Sequence, residues 1–250
     1  MHKLPPLLAI QHALKAVVNF RNAGVKIALP WIVVLAGVSL LDRNFSSTED
    51  SPGAMYFRST EILIAALGMV VFSSIAVNWH RYILLDEVTA SEKIFRLDHP
   101  VWSYAGRTLL IMLTALAPAL ALGAMVANIL PTFYPLLAIP FFVAGIYVMR
   151  MSVALPAIAL GHKDFGIGAA LQATQGNNWQ FAGLLLLNGV VLLATFLVLG
   201  IALTIVGSVS MTAGSIFAVA LSIPANLFLS LFSISLLSSL YGFFVEKRSF

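Results

Sequence analysis

Six long apolar segments constrain this chain more than any other feature. A helix that crosses a bilayer needs roughly 20 mainly apolar residues, with about 17 as the lower limit. The segments that reach this length are residues 25–41, 61–77, 108–127, 131–149, 183–207 and 215–244. Composition agrees, because 10% of the 250 residues are charged, against about 25% in a soluble domain. The sequence therefore predicts an all-α polytopic membrane protein, with residues 1–250 forming a single membrane domain.

The basic residues are distributed unevenly between the two sides of these predicted spans. Twelve of the 14 lysines and arginines fall on one side, and Arg43 and Arg58 fall on the other. Cytoplasmic loops carry an excess of Lys and Arg, so both termini are predicted to be cytoplasmic. The net charge of +4 follows from this asymmetry, and we expect no nucleic-acid partner.

The N-terminal residues 1–23 are predicted to form an amphipathic helix on the cytoplasmic side. Its apolar residues recur at helical spacing, at Leu7, Ile10, Leu14, Val17 and Val18. Such a helix can lie in the interface against anionic lipid, or it can pack on the cytoplasmic ends of the other helices. The sequence leaves both arrangements open.

The connection between the fourth and fifth spans repeats this pattern with different residues. Residues 151–160 are apolar although a proline interrupts them, so we expect this segment to re-enter the interface or to pack under the bundle. Asp164 is a predicted N-cap, and Gly176 with Asn177 a predicted C-cap, of a short helix parallel to the membrane.

An internal repeat is indicated by a motif of an aromatic residue, two further residues, Ala and Gly. It occurs at 20–24, 102–106 and 179–183, and the second and third copies share Leu-x-Leu-Gly at 120–123 and 197–200, at an offset of 77 residues. The pattern predicts three units of spanning helix, surface helix and spanning helix, with the first opening span supplied by the sixth helix. An axis along the membrane normal would relate the three units.

The stretch NWHRYILLDE, which follows the second apolar segment, concentrates ionisable residues. If the helix continues through it, His80 and Glu87 lie about 10.5 Å apart along the axis, and Arg81 faces leucines rather than an acid. The charges would then be scattered around the helix. A general acid or base needs an orienting partner within hydrogen-bond reach, so the stretch is interpreted as a structural collar, with Trp79 and Tyr82 as interfacial anchors.

Several residues are candidates for docking a protein partner or lipid headgroups at the cytoplasmic side. They are Trp79, His80, Arg81, Tyr82, Asp86, Glu87, Arg150 and Trp179. Arg150 is expected to end the fourth span by extending towards lipid phosphates. The five histidines are dispersed, with no HExxH or paired-carboxylate motif, so neither a metal nor another cofactor is expected.

Two asparagines are the strongest polar candidates inside the membrane. Asn188 and Asn226 lie in the fifth and sixth spans, where an amide can bridge helices for about 0.6 to 2 kcal/mol. Prolines kink three of the spans, at positions 118, 140 and 224. Broken helices with polar groups at mid-membrane are typical of transporters.

The segment RMSVALPAIALGHKDFGIGAALQATQGNNWQFAG, residues 150–183, resembles the membrane-domain family of glycerophosphodiester phosphodiesterases. In that family an arginine and a Leu-Pro-Ala segment precede a short helix that ends near a glycine and an aromatic residue. The stretches ALKAVVNFRNAG and VNWHRYILLDE are similar to small alphaproteobacterial proteins of the same type. The resemblance implies six spans and a bacterial inner-membrane location. It implies no reaction, because the family's chemistry belongs to a separate soluble barrel with metal-binding acids.

These features together predict a non-catalytic accessory or scaffold subunit that docks a protein partner or lipid headgroups through its cytoplasmic helices. The first alternative is a transporter or lipid-handling protein with a cavity near Asn188 and Asn226. The second is an interfacial enzyme that uses His80, Arg81, Asp86 or Glu87.

Overall fold

A computed structural model describes residues 3–46, 59–129, 136, 138–162 and 164–250. In this part of the chain the regular structure is helical, as predicted. The α-helices are α1 (Pro6–Asn19), α2 (Arg21–Ser46), α3 (Ser59–Leu85), α4 (His99–Ile129), α5 (Ala138–Ser152), α6 (Ala154–Leu160), α7 (Ile167–Ala173), α8 (Asn178–Val209) and α9 (Met211–Phe244), with a short 3₁₀ turn at Ser91–Lys93.

Six helical segments are long and apolar enough to cross a membrane, which confirms the predicted number of spans. They are Arg21–Val38, Glu61–Leu85, His99–Ile129, Ala138–Leu160, Asn178–Val209 and Ala220–Phe244. The protein is therefore a multi-pass membrane protein. Residues 131–135, where the fourth span was predicted to begin, and the connection 47–58, which carries Arg58, lie outside the described residues.

The spanning helices form a closed ring. In chain order α2 packs on α3, α3 on α4, α4 on α5, α5 on α8 and α8 on α9, and α9 returns to α2. The third and fourth spans, and the fifth and sixth, are therefore neighbours as predicted. Helix α3 also contacts α9 across the ring, so these two helices form its interior.

Two apolar grooves are lined by residues that the predicted 77-residue offset relates to one another. One groove, of about 650 Å³, lies between α4 and α5, and the other, of about 560 Å³, lies between α8 and α9. Six lining positions correspond: Thr114, Pro118, Leu122, Ala144, Tyr147 and Met151 match Val191, Thr195, Leu199, Leu221, Pro224 and Phe228. A single offset relates both helices of each pair, which supports the repeat for the second and third units.

The repeat does not extend to the packing around the motif glycines. A Cβ atom at Gly24 would lie 2.5 Å from Leu231 Cδ1 and 3.2 Å from Trp79, whereas one at Gly106 would meet no atom within 4 Å. Gly24 therefore permits close approach of α2 to α3 and α9. The equivalent glycine of α4 has no such role.

Helices α1, α6 and α7 gather at one end of the bundle, which we call the surface-helix end. Helix α1 packs on α8 and α9, α6 packs on α3, α4 and α9, and α7 packs on α5. Both ends of the described chain lie there, because the rings of His12 and Phe250 are 5.7 Å apart. Residues 154–157 of α6 are buried, so the apolar connection packs under the bundle, which was one of its two expected arrangements.

Helix α1 divides its apolar residues between two environments. Three small residues at helical spacing, Ala9, Ala13 and Ala16, are buried with Ile10 and Val17. Small residues allow close contact between helices, which explains how α1 lies against α9. Two members of the predicted apolar face, Leu7 and Val18, are instead exposed.

The short helices begin and end differently from the prediction. Asp164 is not an N-cap, because α7 begins at Ile167 with Gly166 in the capping position. Gly161, at φ 85°, ends α6. Its N–H donates to the Ile158 carbonyl, and the N–H of His162 donates to the Ala157 carbonyl. This is the Schellman arrangement, which favours glycine.

The residues predicted to cap the end of α7 have separate roles. Gly176, at φ 76°, turns the chain after α7. Asn177 occupies the N-cap position of α8, and its side-chain oxygen accepts a bond from the Leu4 N–H at 2.9 Å. The N-terminal segment is thereby fixed to the start of α8.

Candidate functional site

One face of α9 organises the surface-helix end. Ser235, Ser238 and Ser239 are buried and, at positions i, i+3 and i+4, they share one side of the helix. We call them the serine face. The hydrogen bonds to it are Trp79 Nε1 to Ser235 Oγ, His80 Nδ1 to Ser238 Oγ and His12 Nδ1 to Ser239 Oγ, each 2.8 Å long. Side chains of α1 and α3 thus converge on α9.

The imidazole of His80 is fully buried, and both of its nitrogens have partners. The Ser238 hydroxyl donates to the Ile234 carbonyl at 3.2 Å, so its oxygen accepts the bond from His80 Nδ1–H. His80 Nε2 then accepts from the Tyr104 hydroxyl at 3.3 Å. We assign the tautomer from this network. The network satisfies His80 as a neutral ring.

His12 is held in the same way on the other side of the serine face. The Ser239 hydroxyl donates to the Ser235 carbonyl at 2.9 Å, which leaves its oxygen to accept from His12 Nδ1–H. Burial, and secondarily the charge of Lys15, lowers the pKa of His12 below its ordinary value. The neutral form of His12 is therefore favoured.

A third histidine also reaches α9. His162, in the turn after α6, lies 3.0 Å through Nδ1 from the Tyr241 hydroxyl. His12, His80 and His162, which are dispersed in the sequence, are thus brought to one helix. They do not form a metal site: within the described part of the chain no group of three or more His, Asp or Glu residues could hold an ion.

The arrangement of Arg81 and Glu87 corrects the prediction that these charges are scattered. Helix α3 ends at Leu85, and Asp86 adopts φ 53°, which reverses the chain. Glu87 consequently accepts a bond from Arg81 Nε at 2.8 Å, and Arg81 also donates to the Ala159 carbonyl of α6 at 3.2 Å. The hydrogen bond from Arg81 is the main cause that lowers the pKa of Glu87.

Arg150 is buried at 7% exposure, so the prediction that it extends to lipid phosphates is wrong. Its guanidinium donates to Thr174 Oγ1 at 3.0 Å, to Asn178 Oδ1 at 2.8 Å and to the Leu171 carbonyl at 2.9 Å. The partners lie at the end of α7 and the start of α8, and the carbonyl end of a helix favours a cation. Arg150 therefore joins α5, α7 and α8.

The connection between α3 and α4, residues 86–98, is folded against the bundle, and we call it the folded connection. Three side chains fix its backbone: Trp31 Nε1 donates to Ile94 O, Asn78 Nδ2 to Lys93 O and Trp102 Nε1 to Leu97 O, each at 3.0 Å. Its apolar residues nevertheless face outwards, with Val88 74%, Phe95 51% and Leu97 52% exposed. An ordered segment therefore presents an apolar surface.

Exposed aromatic residues mark the starts of three spanning helices. Phe20 precedes α2, Trp102 lies in the first turn of α4, and Trp179, which is 86% exposed, lies in the first turn of α8. Such positions are typical of interfacial anchors. Trp79 is completely buried, so its prediction as an anchor is wrong. Tyr82 is half-buried and contacts Phe20 edge to face.

The predicted docking residues thus divide into two groups. Trp79, His80 and Arg150 are buried and do not contact a partner in this conformation. Arg81, Tyr82 and Glu87 are half-buried, whereas Asp86 and Trp179 are exposed. The exposed apolar residues of the folded connection, Val88, Phe95 and Leu97, were not among the candidates predicted from the sequence.

The two membrane asparagines lie outside the linings of the two apolar grooves. Asn226 is exposed, and its amide donates to the Ser222 carbonyl within α9 at 2.8 Å, so this amide nitrogen does not bridge helices. Neither Asn188 nor Asn226 lines the groove between α8 and α9, whose surface is almost wholly apolar. The grooves described above offer no polar binding group at these positions.

Sequence reasoning missed the serine face and Trp31. The spacing of Ser235, Ser238 and Ser239 on one helical side was a usable signal, although serines are common in membrane helices, where they allow close packing. Trp31 gave no signal, because an indole in an apolar segment is expected in any span. Its bond to the folded connection depends on tertiary structure.

Comparison of the chain with protein-family models, with curated proteins and with solved structures gave no match. The resemblance to the membrane domains of glycerophosphodiester phosphodiesterases therefore stays a prediction.

Proposed function

We propose that this protein is a non-catalytic accessory subunit of a bacterial inner membrane, which docks a partner membrane protein through its surface-helix end. The observation that carries this proposal is the folded connection. Its backbone is fixed by side chains of α2, α3 and α4, while Val88, Phe95 and Leu97 are directed outwards. A surface ordered before binding loses little conformational entropy on association.

The fixed geometry favours a protein partner over a lipid one. Acyl chains adapt to any apolar surface, so membrane contact alone does not require apolar side chains to keep one fixed arrangement. Phe95 also packs edge to face on Trp31 at 4.9 Å, which holds one exposed ring in a single orientation. Aromatic residues, phenylalanine among them, are enriched in protein interfaces.

The hydrogen-bond directions at the serine face support a non-catalytic role. An activated serine donates its proton to a histidine nitrogen. Here the Ser238 and Ser239 hydroxyls lie within hydrogen-bond distance of carbonyls of their own helix, and in the tautomer that we assign the histidines donate to the serine oxygens. The two Ser–His pairs are therefore arranged opposite to a catalytic pair, and we propose that they join helices.

A cytoplasmic location of the surface-helix end is part of the proposal. Exposed lysines and arginines of α1, of the start of α2 and of the folded connection lie there, among them Lys15, Arg21, Lys26 and Lys93. An excess of basic residues favours retention on the cytoplasmic side.

Site-specific photocrosslinking in intact cells tests the docking proposal. A photoreactive amino acid is placed at position 88 or 97, and, as a matched control, at position 209, which is 84% exposed at the other end of α8. We expect positions 88 and 97 to give the same protein adduct and position 209 not to give it. Val88→Asp should abolish the adduct formed from position 97.

Two results would overturn the proposal. Adducts of positions 88 and 97 to lipid alone would assign this surface to the membrane. An adduct equally abundant from position 209 would show contact without site preference. The fold of each variant is verified by its thermal unfolding in detergent.

A further inference from the structure

The surface-helix end also contains a pocket of about 320 Å³, whose lining includes no residue of the folded connection. It is enclosed by α1, the ends of α3 and α9 and the C-terminal residues. Its lining includes His12, Lys15, Asn19, Ser239, Arg248 and Phe250. This volume is at the lower end of small-molecule pockets, which span about 300 to 1,000 Å³.

The C-terminal residues are folded into a wall of this pocket. Lys247 adopts φ 59°, and the Arg248 N–H bonds to the Gly242 carbonyl at 2.9 Å. The ring of Phe250 stacks on Phe243, with centroids 5.2 Å apart, and also contacts His12. The segment after α9 therefore returns to α1 and closes the pocket on one side.

The chemistry of the lining suits an anion. Lys15 and Arg248 contribute cationic groups, Asn19 an amide, and no side-chain carboxylate belongs to the lining. Glu246 pairs with Arg248 Nε at 2.9 Å and thus offsets part of the positive potential in the pocket. The guanidinium of Arg248 has further N–H donors. Lysine and arginine are the usual partners of phosphate.

The opposite side of the pocket is apolar and close to the membrane surface. Ile83 and Leu84 come from the last turn of the second span, and Phe20 precedes the first. An amphiphile could place its charged group between α1 and the C-terminal residues while its chains follow α3 towards the bilayer. A freely soluble anion would gain nothing from this apolar side.

We infer that this pocket binds the phosphate group of an anionic phospholipid from the surrounding membrane leaflet. This site is separate from the folded connection, and its occupancy does not depend on a protein partner. Lys15 and Arg248 provide the charge that selects an anionic over a zwitterionic headgroup. The apolar side selects a lipid over free phosphate.

The test measures lipid retained by the purified full chain. Protein is reconstituted with equal amounts of phosphatidylglycerol and phosphatidylcholine, extracted in mild detergent and analysed by native mass spectrometry. The lysine and arginine are replaced together, as Lys15→Gln with Arg248→Gln. The matched control, Lys26→Gln with Lys93→Gln, removes the same charge from exposed positions outside the pocket. A basic residue next to a bound anionic headgroup contributes about five-fold to its binding, so we expect the pocket variant, unlike the control, to lose about ten-fold or more of its preference.

We expect the wild type and the control to retain one phosphatidylglycerol per chain, and the conservative variant Lys15→Arg to retain it as well. Equal loss in the control, or no preference in the wild type, would overturn the inference. Displacement of the lipid by millimolar inorganic phosphate would assign the pocket to a free anion instead. Thermal unfolding in detergent separates loss of the lipid from loss of the fold, and the photocrosslink from position 88 should persist in the pocket variant.

Discussion

A single backbone conformation decides the environment of the charged residues at the end of α3. Asp86, at φ 53°, is a residue type that tolerates the left-handed region better than most. It ends the helix and allows Glu87 to pair with Arg81. If residues 78–87 formed a continuous helix, Arg81 would face leucines and would not reach Glu87. The reversal at Asp86 also begins the folded connection, on which the proposed function rests. Arg81 in addition binds α6.

The pH dependence of stability should report the Arg81–Glu87 pair. The pKa of Glu87 is lowered, so its stabilising effect is complete above the ordinary value of about 4.3 and is lost as pH falls through the lowered pKa. We expect Glu87→Gln to lower the unfolding temperature in detergent at pH 7 and to lower it progressively less below about pH 4. Asp164→Asn, an exposed control, should have little effect at either pH. A constant difference across this range would contradict the assignment.

The buried network around His80 should be sensitive to the loss of one member. His80→Leu leaves the Tyr104 hydroxyl buried without its partner, which costs about 1 to 3 kcal/mol of unfolding free energy. His99→Leu, at an exposed position, should change it by less than about 0.5 kcal/mol. The measurement is chemical or thermal unfolding in a mild detergent.

A double substitution makes this prediction sharper. If the unpaired hydroxyl causes the loss, adding Tyr104→Phe to His80→Leu should recover part of the stability. An additive loss in the double variant would show that the network is not the cause.

At the scale of elements, small residues set the distances between helices. Ala9, Ala13 and Ala16 lie at the contact of α1 with its neighbours. Gly24 lies where α2 contacts α3 and α9. The sequence predicted these helices from their length and periodicity. It did not predict which of the similar motif glycines is packed, because that depends on Leu231 and Trp79, which are distant in the chain.

The motif glycines provide a matched pair of substitutions. Gly24→Ala forces Leu231 and Trp79 to move in a buried site, and overpacking of this kind costs about 1 to 3 kcal/mol. Gly106→Ala meets no atom within 4 Å and should be neutral or stabilising, since alanine favours helix by about 1 kcal/mol. Thermal unfolding of the two variants side by side measures the difference. Equal effects would show that α2 does not pack as closely as described.

The sequence predicted the spans well because hydropathy and length are local properties. It predicted the surface-helix end less well because contacts there join distant residues. Arg150 illustrates the limit: an arginine at the end of a span usually extends to lipid, and its partners Thr174 and Asn178 could not be recognised before α7 and α8 were placed. The serine face likewise becomes a site only when His12 and Trp79 reach it.

At the scale of the whole molecule, the ring brings the first and last helices together. The contact of α1 with α9 places both ends of the described chain on one side, in agreement with the even number of spans. The proposed docking surface and the inferred lipid pocket lie at this same end and are formed by different residues. A partner and a lipid could therefore be bound at the same time.

Cysteine crosslinking tests the contact of α1 with α9 directly, since the chain contains no cysteine. A His12→Cys, Ser239→Cys variant should form an intramolecular link with a short bifunctional maleimide, because the native side chains approach to 2.8 Å. A His12→Cys, Ser208→Cys variant, which places the second thiol at the other end of α8, should not. Faster migration in denaturing electrophoresis, reversed by a cleavable reagent, reports the link. Links only between chains would refute this contact.

The position of the serine face late in the chain determines when the surface-helix end can assemble. Translation proceeds at about 5 to 20 residues per second, so Ser239 is synthesised on the order of ten to forty seconds after His12. During that interval His12, Trp79 and His80 have been made but lack their α9 partners. A chain stalled before α9 therefore lacks the serine face, and we expect its surface-helix end to remain unassembled.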